Sequence, residues 1–272
     1  MKKNSTAIER LLNEGFFETR EAALPYIMSG AVYCGAVQVT TGGQKVPLDK
    51  PMTVRGLNER YVSKGGYKLE GAIADFGIDV NERICIDAGA CTGGFTDCLV
   101  KHGAALVYAV EVGFGQLAGS LSQDRRVINL EKTNLGDEKL LTLEPVPTLG
   151  SVDLSYLSLV KAVPQFKAVM HGAGELMCLV KPLFETDDPV ARRTGEIDPG
   201  GYPALLRTLC DTLDTQPGTH AVAVTHSPVT GNNGTHEFFL HVCFGEGEYP
   251  HVTDEAIAQA VARVMALEKY RK

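Results

Sequence analysis

No two cysteines in this sequence stand in C-x-x-C spacing, and the seven cysteines are scattered and odd in number. That argues against a disulfide framework and for reduced thiols. Cys85, Cys91 and Cys98 lie near one another but lack the paired spacing of a zinc site, so small buried side chains are expected there and no metal. No apolar run approaches the length of a membrane span, so no transmembrane helix is expected. The opening stretch MKKNSTAIERLL lacks the apolar core of a secretory signal, and the expected location is the cytoplasm. A general excess of positive charge is also missing. The formal net charge is −7, which argues against an indiscriminate nucleic-acid binder. Neither DNA nor a membrane is an expected partner, and the oligomeric state is not legible.

What is present is ordinary for a globular protein: 272 residues, 44% hydrophobic and 22% charged. The charge is uneven. Residues 1–60 hold eight Lys/Arg and six Asp/Glu, a balance of +2, and the remainder carries −9. Residues 1–60 read as a separate small module. TAIERLLNEGFF has helical spacing with Ile8, Leu11 and Leu12 on one side. TREAALPYIMSG reads as a second helix, capped by Thr19, ended by Gly30 and carrying Pro25 within it. AVYCGAVQV and MTVRG read as short strands around the TTGGQ turn, and GLNERYVSKGG as the linker.

From Tyr67 the rhythm changes. KLEGAIADFGI is an amphipathic helix with Leu69, Ile73 and Phe76 inward. Seven candidate strands follow: RICIDAG, ALVYAVEVG, RVINLEK, SVDLSYL, ELMCLVKP, HAVAVTHS and HEFFLHVCFG. Helices such as GGFTDCLVKHG and YPALLRTLCDTL fall between most of them, which predicts a mostly parallel, doubly wound α/β sheet. PVTGNNGT is too short for a crossover helix, so the last two strands should form an antiparallel hairpin. The end of the chain reads as an amphipathic helix using Ile257, Val261, Val264 and Met265. The arrangement resembles the Rossmann-like methyltransferases.

ICIDAGACTGGFTDCL puts Gly89, Gly93 and Gly94 between the first strand and the next helix, where ligands of such sheets bind. The turn is not G-x-G-x-x-G, because position 91 is Cys. It is not a P-loop, because Phe95-Thr96 stands where Lys-Ser/Thr is required. Glu111 ends the second strand and can accept hydrogen bonds from a ribose diol. Glycines with a ribose acid but no phosphate fingerprint suit S-adenosylmethionine. The plainer alternative is that the glycines serve a tight turn and close packing.

Charged residues gather at the same predicted rim. Asp153 lies near the end of the fourth strand, and Lys181 ends the fifth. Glu237 begins the antiparallel seventh, and Lys68 opens the helix leading into the first. Each has a bland reading: Glu237 as a charge on a strand edge, Lys68 as a partner of Glu70 or Asp75. Their joint position is the signal.

The stretches YVSKGGYKLEGAI, DAGACTGGFTDCL, AVEVGFGQLAGSL, LEKTNL, DLSYLSL, LVKPLFE and SPVTGNNGTHEFFL together resemble the TlyA (hemolysin A) family. That resemblance implies an N-terminal alpha-L RNA-binding module, here degenerate, over residues 1–60. It implies an FtsJ-like, S-adenosylmethionine-dependent methyltransferase domain over 61–272, acting on ribosomal RNA or a ribosomal subunit, at a cytidine. It carries a catalytic tetrad onto Lys68, Asp153, Lys181 and Glu237, with a ribose 2′-hydroxyl as the methyl acceptor, a group that needs a base and in-line placement to attack a sulfonium methyl. Lys181 is then the candidate base and Lys68 its like-charge neighbour, since lysine in water is protonated until pH ≈ 10.4 and burial or a second cation disfavours the charge. Its cofactor-binding positions fall on Asp87, Gly89, Thr92, Gly93, Gly94, Glu111 and Asn134. Departures from the family pattern include Glu111 for Asp, Cys91 for Ser, Leu183 for Gln and Thr235 for Asn. TDDPVARRTGEID lacks the usual glycine spacing, and the N-terminal module lacks the usual Arg-Leu-Asp opening. These departures motivate an alternative, a catalytically decayed RNA- or ribosome-binding protein. A nicotinamide-dependent oxidoreductase on a similar sheet is a third reading.

Overall fold

A computed structural model of the chain describes residues 4–57, 59–155 and 157–267. Asn58 of the expected linker, Tyr156 of the expected fourth strand and residues 268–272 of the expected last helix lie outside them. The chain divides into two compact units, Met1–Arg60 and Tyr61–Lys272.

In the smaller unit, helix Ala7–Asn13 starts at a capping box: the Thr6 hydroxyl accepts from the Glu9 N–H, and the Glu9 carboxylate accepts from the Thr6 N–H. Helix Arg20–Met28 is capped by Thr19 and contains Pro25. Gly30 follows with φ +73°, the left-handed turn that ends the helix run. A three-stranded antiparallel sheet, in the order Val37–Gln38, Val32–Cys34, Met52–Val54, covers the helices. A further pair, Asn4–Thr6 with Lys45–Pro47, is not visible in the sequence pattern. Arg10 is buried here, donating to the carbonyls of Pro47 and Lys50. Those bonds compensate its burial.

The larger unit is built on seven strands, numbered here within that unit alone: β1 Ile84–Ala88, β2 Leu106–Val110, β3 Val127–Leu130, β4 Leu149–Val152, β5 Gly174–Val180, β6 Thr219–His226 and β7 Phe238–Phe244. Their order is β6-β7-β5-β4-β1-β2-β3. All neighbours are parallel except β7, which runs antiparallel to both β5 and β6. Glu237 therefore does not guard an edge, because β7 is an interior strand.

Each face of the sheet has its own core. Helices Lys64–Phe76 and Gly94–Lys101 supply Leu69, Phe95 and Leu99 to one. Helices Leu159–Val169, Tyr202–Asp214 and Asp254–Met265 supply Phe166, Leu206, Leu213 and Val264 to the other. Successive residues of β7 alternate between the two: Phe238 joins the second core and Phe239 the first. Truncating either fully buried ring to alanine would cost about 3–5 kcal/mol.

Two boundaries and one inward position in the larger unit differ from the sequence reading. The fourth strand begins at Leu149 and ends at Val152, rather than running through 151–157. Its last ladder bond is spent when the Asp153 N–H donates to the Ala88 carbonyl, 3.0 Å. The first helix of the larger unit begins at Lys64, so Lys68 lies in its second turn rather than opening it. Gly66 permits this early start: a Cβ there would meet the buried Tyr61 ring at 2.2 Å. Met265 is exposed, because Ile257, Ala260 and Val264 already make the inward stripe of the last helix.

Candidate active site

Strand register sets the rim of the sheet. Val180 of β5 pairs with Phe238 of β7, so Lys181 and Glu237 are flanking residues at the same end. Ala88 of β1 pairs with Val152 of β4, which brings Gly89 and Asp153 side by side there. Lys181 begins the turn into the short helix Pro182–Glu185, with Pro182 at its first position, where the missing N–H costs nothing. The Glu185 carboxylate then accepts from the Ser158 hydroxyl at 2.7 Å and the Leu159 N–H at 2.9 Å. Those bonds tie the turn after β5 to the start of the helix after β4.

Lys181, Glu237, Gly89 and Asp153 line one cleft of about 1050 Å³. Lys68, Asp153, Lys181 and Glu237 all face it, as do Gly89, Thr92 and Gly94. The four charged groups form two ion pairs, Lys68 with Glu237 and Lys181 with Asp153. Lys68 and Glu237 are buried. Burial pushes the Glu237 carboxyl above the ordinary range, opposed first by the Lys68 cation. Asp153 raises it further and Lys181 lowers it, so the pairs act on each other electrostatically. Lys181 is more open. Its Nζ also donates to the Leu154 carbonyl at 3.2 Å and the Ser155 hydroxyl at 3.3 Å.

The glycine-rich turn abuts this set. Gly89 has φ +84°, and a Cβ there would lie 2.3 Å from the Asp153 carbonyl oxygen. Only glycine lets the turn pass so close to Asp153. Gly93, with φ +94°, begins helix Gly94–Lys101 behind the turn and does not line the cleft. Asp87 does not line it either. It is fully buried beneath the turn, where its carboxylate accepts from the Thr96 hydroxyl at 2.7 Å and the Ser151 hydroxyl at 2.9 Å. Burial raises its pKa to about 6, only partly offset by those hydroxyls.

Glu111 follows β2 and reaches the turn from the side. Its Oε2 accepts from the Cys91 N–H at 3.0 Å and its Oε1 from the Gly113 N–H at 2.7 Å. Asn134 is exposed outside the cleft, its side chain accepting from the Gly136 N–H at 3.0 Å within its own loop. Several cleft residues escaped the sequence reading. Ser63 and Lys64 line it from the helix start, and Lys64 donates to the Asn232 side chain at 3.1 Å. Tyr202 and His236 line another wall, their polar atoms 3.5 Å apart. The one signal available was adjacency, since Lys64 stands in SKGGYK and His236 directly precedes Glu237.

The model of the family described as FtsJ-like methyltransferase matches residues 61–244. The chain belongs to the FtsJ-like methyltransferase family. The Bacillus subtilis protein YqxC, provisionally named an rRNA methyltransferase, is 36% identical over 266 residues, 96% of this chain and 94% of that one. A Mycobacterium tuberculosis protein named 16S/23S rRNA (cytidine-2′-O)-methyltransferase TlyA is 36% identical over 250 residues, 88% of this chain and 90% of that one. A solved structure from Streptococcus thermophilus, carrying a hemolysin label, shares 32% identity and a TM-score of 0.68, covering 97% of this chain and 98% of that one. No helix among the described residues is long and apolar enough to cross a membrane.

The cofactor of this methyltransferase family member is S-adenosylmethionine, and the donor set fits it. Gly89, Thr92 and Gly94 open onto the cleft. The two Glu111 oxygens carry one N–H each, whereas a carboxylate offers about four acceptor sites. That leaves capacity for two ribose hydroxyls.

Proposed function

We propose that this chain methylates the 2′-hydroxyl of a cytidine ribose in ribosomal RNA. The observation that carries the reading is the convergence of Lys68–Glu237 and Lys181–Asp153 in one cleft beside the glycine-rich turn. The names of the relatives supply the substrate class. When bound, S-adenosylmethionine supplies an electrophilic methyl group on a sulfonium.

The rest falls to the chain's own groups. Lys181, having first released its ammonium proton to solvent, takes the proton of the 2′-hydroxyl as that oxygen bonds the methyl group; both lysines face the cleft, and Lys181 is the more exposed of the two. Asp153 holds the Lys181 amine in place and shares its charge. Lys68 and Glu237 form the buried wall that fixes the hydroxyl's approach. Gly89, Thr92, Gly93 and Gly94 form the cofactor turn, with Asp87 bracing it from below. Glu111 takes the ribose, and Asn134 borders the adenosine side. The small unit, with its positive balance, contacts the RNA. A 2′-hydroxyl acceptor also accounts for RNA rather than DNA as substrate.

The test is to map 2′-O-methylation over ribosomal RNA with the wild-type protein and with Lys181→Ala, alongside S-adenosylmethionine titrations. Methylation lost in the variant with cofactor affinity retained supports the assignment. An active Lys181→Ala protein overturns the base. Wild-type protein that binds the cofactor and RNA but never methylates overturns the enzyme reading in favour of a binding protein.

A further inference from the structure

The far end of β5 and β7 carries a second polar cluster. It lies six residues from the rim along each strand, about 20 Å at strand rise. On β7, His241 and Cys243 are two residues apart and share a face. Glu175 of β5 pairs directly with Cys243, and Met177 pairs with His241. The register therefore brings an imidazole, a thiol and a carboxylate together from positions far apart in sequence. The sequence reading expected no metal because it weighed the neighbouring Cys85, Cys91 and Cys98. Spacing along the chain cannot show a set assembled across strands.

The ligand atoms converge. The His241 Nε2 lies 2.9 Å from a Glu175 oxygen and 3.6 Å from the Cys243 sulfur, and all three atoms lie within 4.8 Å of one another. A tetrahedral zinc ion with ordinary Zn–N and Zn–S bonds holds its nitrogen and sulfur about 3.6 Å apart. Nitrogen and oxygen ligands would stand about 3.3 Å apart, so the carboxylate need withdraw only a few tenths of an ångström. Hydrogen bonding alone accounts for less of this geometry. A single Nε2–H serves the carboxylate, whereas a bound ion would engage nitrogen, sulfur and carboxylate together.

The surroundings suit a metal as well. The Phe76 ring stacks on His241, with centroids 5.4 Å apart, and fixes its orientation. Arg83 donates to the other Glu175 oxygen at 2.9 Å, orienting the carboxylate and leaving one oxygen for the ion. All three ligands are only partly buried, so an ion can reach them.

We infer that Glu175, His241 and Cys243 form a zinc site that fastens β5 to β7, with solvent as the fourth ligand. Thiolate, imidazole and carboxylate together select zinc over hard cations such as magnesium or calcium. Burial and the Glu175 charge push the Cys243 thiol up to about 11. Binding therefore forms a zinc–sulfur bond and breaks the sulfur–hydrogen bond, releasing that proton to solvent, while neutral His241 moves its ring proton from Nε2 to Nδ1 so that Nε2 can bond the ion.

The experiment loads the full chain with zinc, removes free metal by gel filtration and counts the metal retained by elemental mass spectrometry. The expected result is about one zinc per chain, with a rise in melting temperature on loading. Cys243→Ser and His241→Gln should lose both, whereas Cys91→Ser, at the exposed cysteine of the cofactor turn, should keep both. With cobalt in place of zinc, a thiolate-to-metal charge-transfer band should appear in the wild type and vanish in Cys243→Ser. If Cys243→Ser fails to fold, His241→Gln carries the same test, since its amide can still donate to Glu175. Wild-type protein that retains no zinc overturns the site, as does undiminished retention in either folded variant.

Discussion

The two lysine–carboxylate pairs at the rim are chemically alike and physically different. The side chains of Lys68 and Glu237 are each 6% exposed, whereas those of Lys181 and Asp153 are 18% and 25% exposed. Removing both members of a pair from water is expensive, and the attraction between them does little more than offset that cost. The buried pair is therefore a framework element whose partners depend on each other. The open pair retains access to solvent, so under the proposed function it is the pair that passes a proton. The difference teaches that a shared tetrad need not mean shared roles.

The sharpest way to break this comparison is Lys181→Ala. Loss of the proposed base should lower the rate of methyl transfer by about 10²–10⁴-fold, with a smaller loss of stability than the buried pair would show, because the Asp153 side chain is partly exposed although its Oδ1 is buried. The rate is read on ribosomal RNA with labelled S-adenosylmethionine and stability by urea unfolding. If stability falls while the rate holds, the roles of the two pairs are reversed.

Lys68→Ala probes the buried pair. It leaves the Glu237 carboxyl uncompensated and should cost about 3–5 kcal/mol of stability. The double variant Lys68→Met/Glu237→Leu should recover most of that loss, since an apolar pair of similar volume avoids the desolvation cost. It should remain deficient in methyl transfer. A single variant that unfolds no more readily than wild type would show that the burial of this pair carries no energetic weight.

Asp87 is a third carboxyl under the same rim, fully buried and held by two hydroxyls instead of a lysine. Its pKa is raised from 3.8 to about 6. The folded state thus holds the proton more tightly than the unfolded one. The stabilisation is complete below about pH 3.8 and is lost as pH rises through about 6. Two units correspond to about 3 kcal/mol. Asp87→Asn removes this titration, so the stability difference between wild type and variant should shift against the wild type by up to that amount between pH 4 and 7. Parallel unfolding curves across that window would mean that Thr96 and Ser151 compensate the charge as fully as a lysine does.

Much of this arrangement was legible in the sequence. Alternating apolar strands and helical stripes fix the sheet, and the short PVTGNNGT connection forces β7 to run antiparallel, which carries Glu237 to the rim. Lys181 and Asp153 follow because a parallel strand delivers its last residue there. The partners were less legible. The sequence offered Glu70 and Asp75 to Lys68, yet Lys68 pairs with Glu237, 169 positions away, and Asp75 pairs with Arg263. Depth was illegible too: Asp87 reads like any acid beside a glycine turn, and only the packing of Thr96 and Ser151 puts it out of reach of the cleft. Such pairings depend on tertiary register, which no local spacing records.

Glu111 offers the gentlest test, at a carboxylate that is not sealed and forms no ion pair among the described residues. It is held by the N–H groups of Cys91 and Gly113. Glu111→Gln keeps the length and one acceptor oxygen but places an NH₂ against one of those N–H groups and removes the charge that a ribose diol would meet. Loss of one charge-assisted hydrogen bond predicts a cofactor affinity weaker by about tenfold, or ~1.4 kcal/mol. Calorimetric titration with S-adenosylhomocysteine reads this, and the rate at saturating S-adenosylmethionine should stay near wild type. A rate that falls with affinity intact would move Glu111 from holding the cofactor to shaping the turn. In that case Gly89, which passes against the backbone of Asp153, would transmit the distortion directly into the open pair.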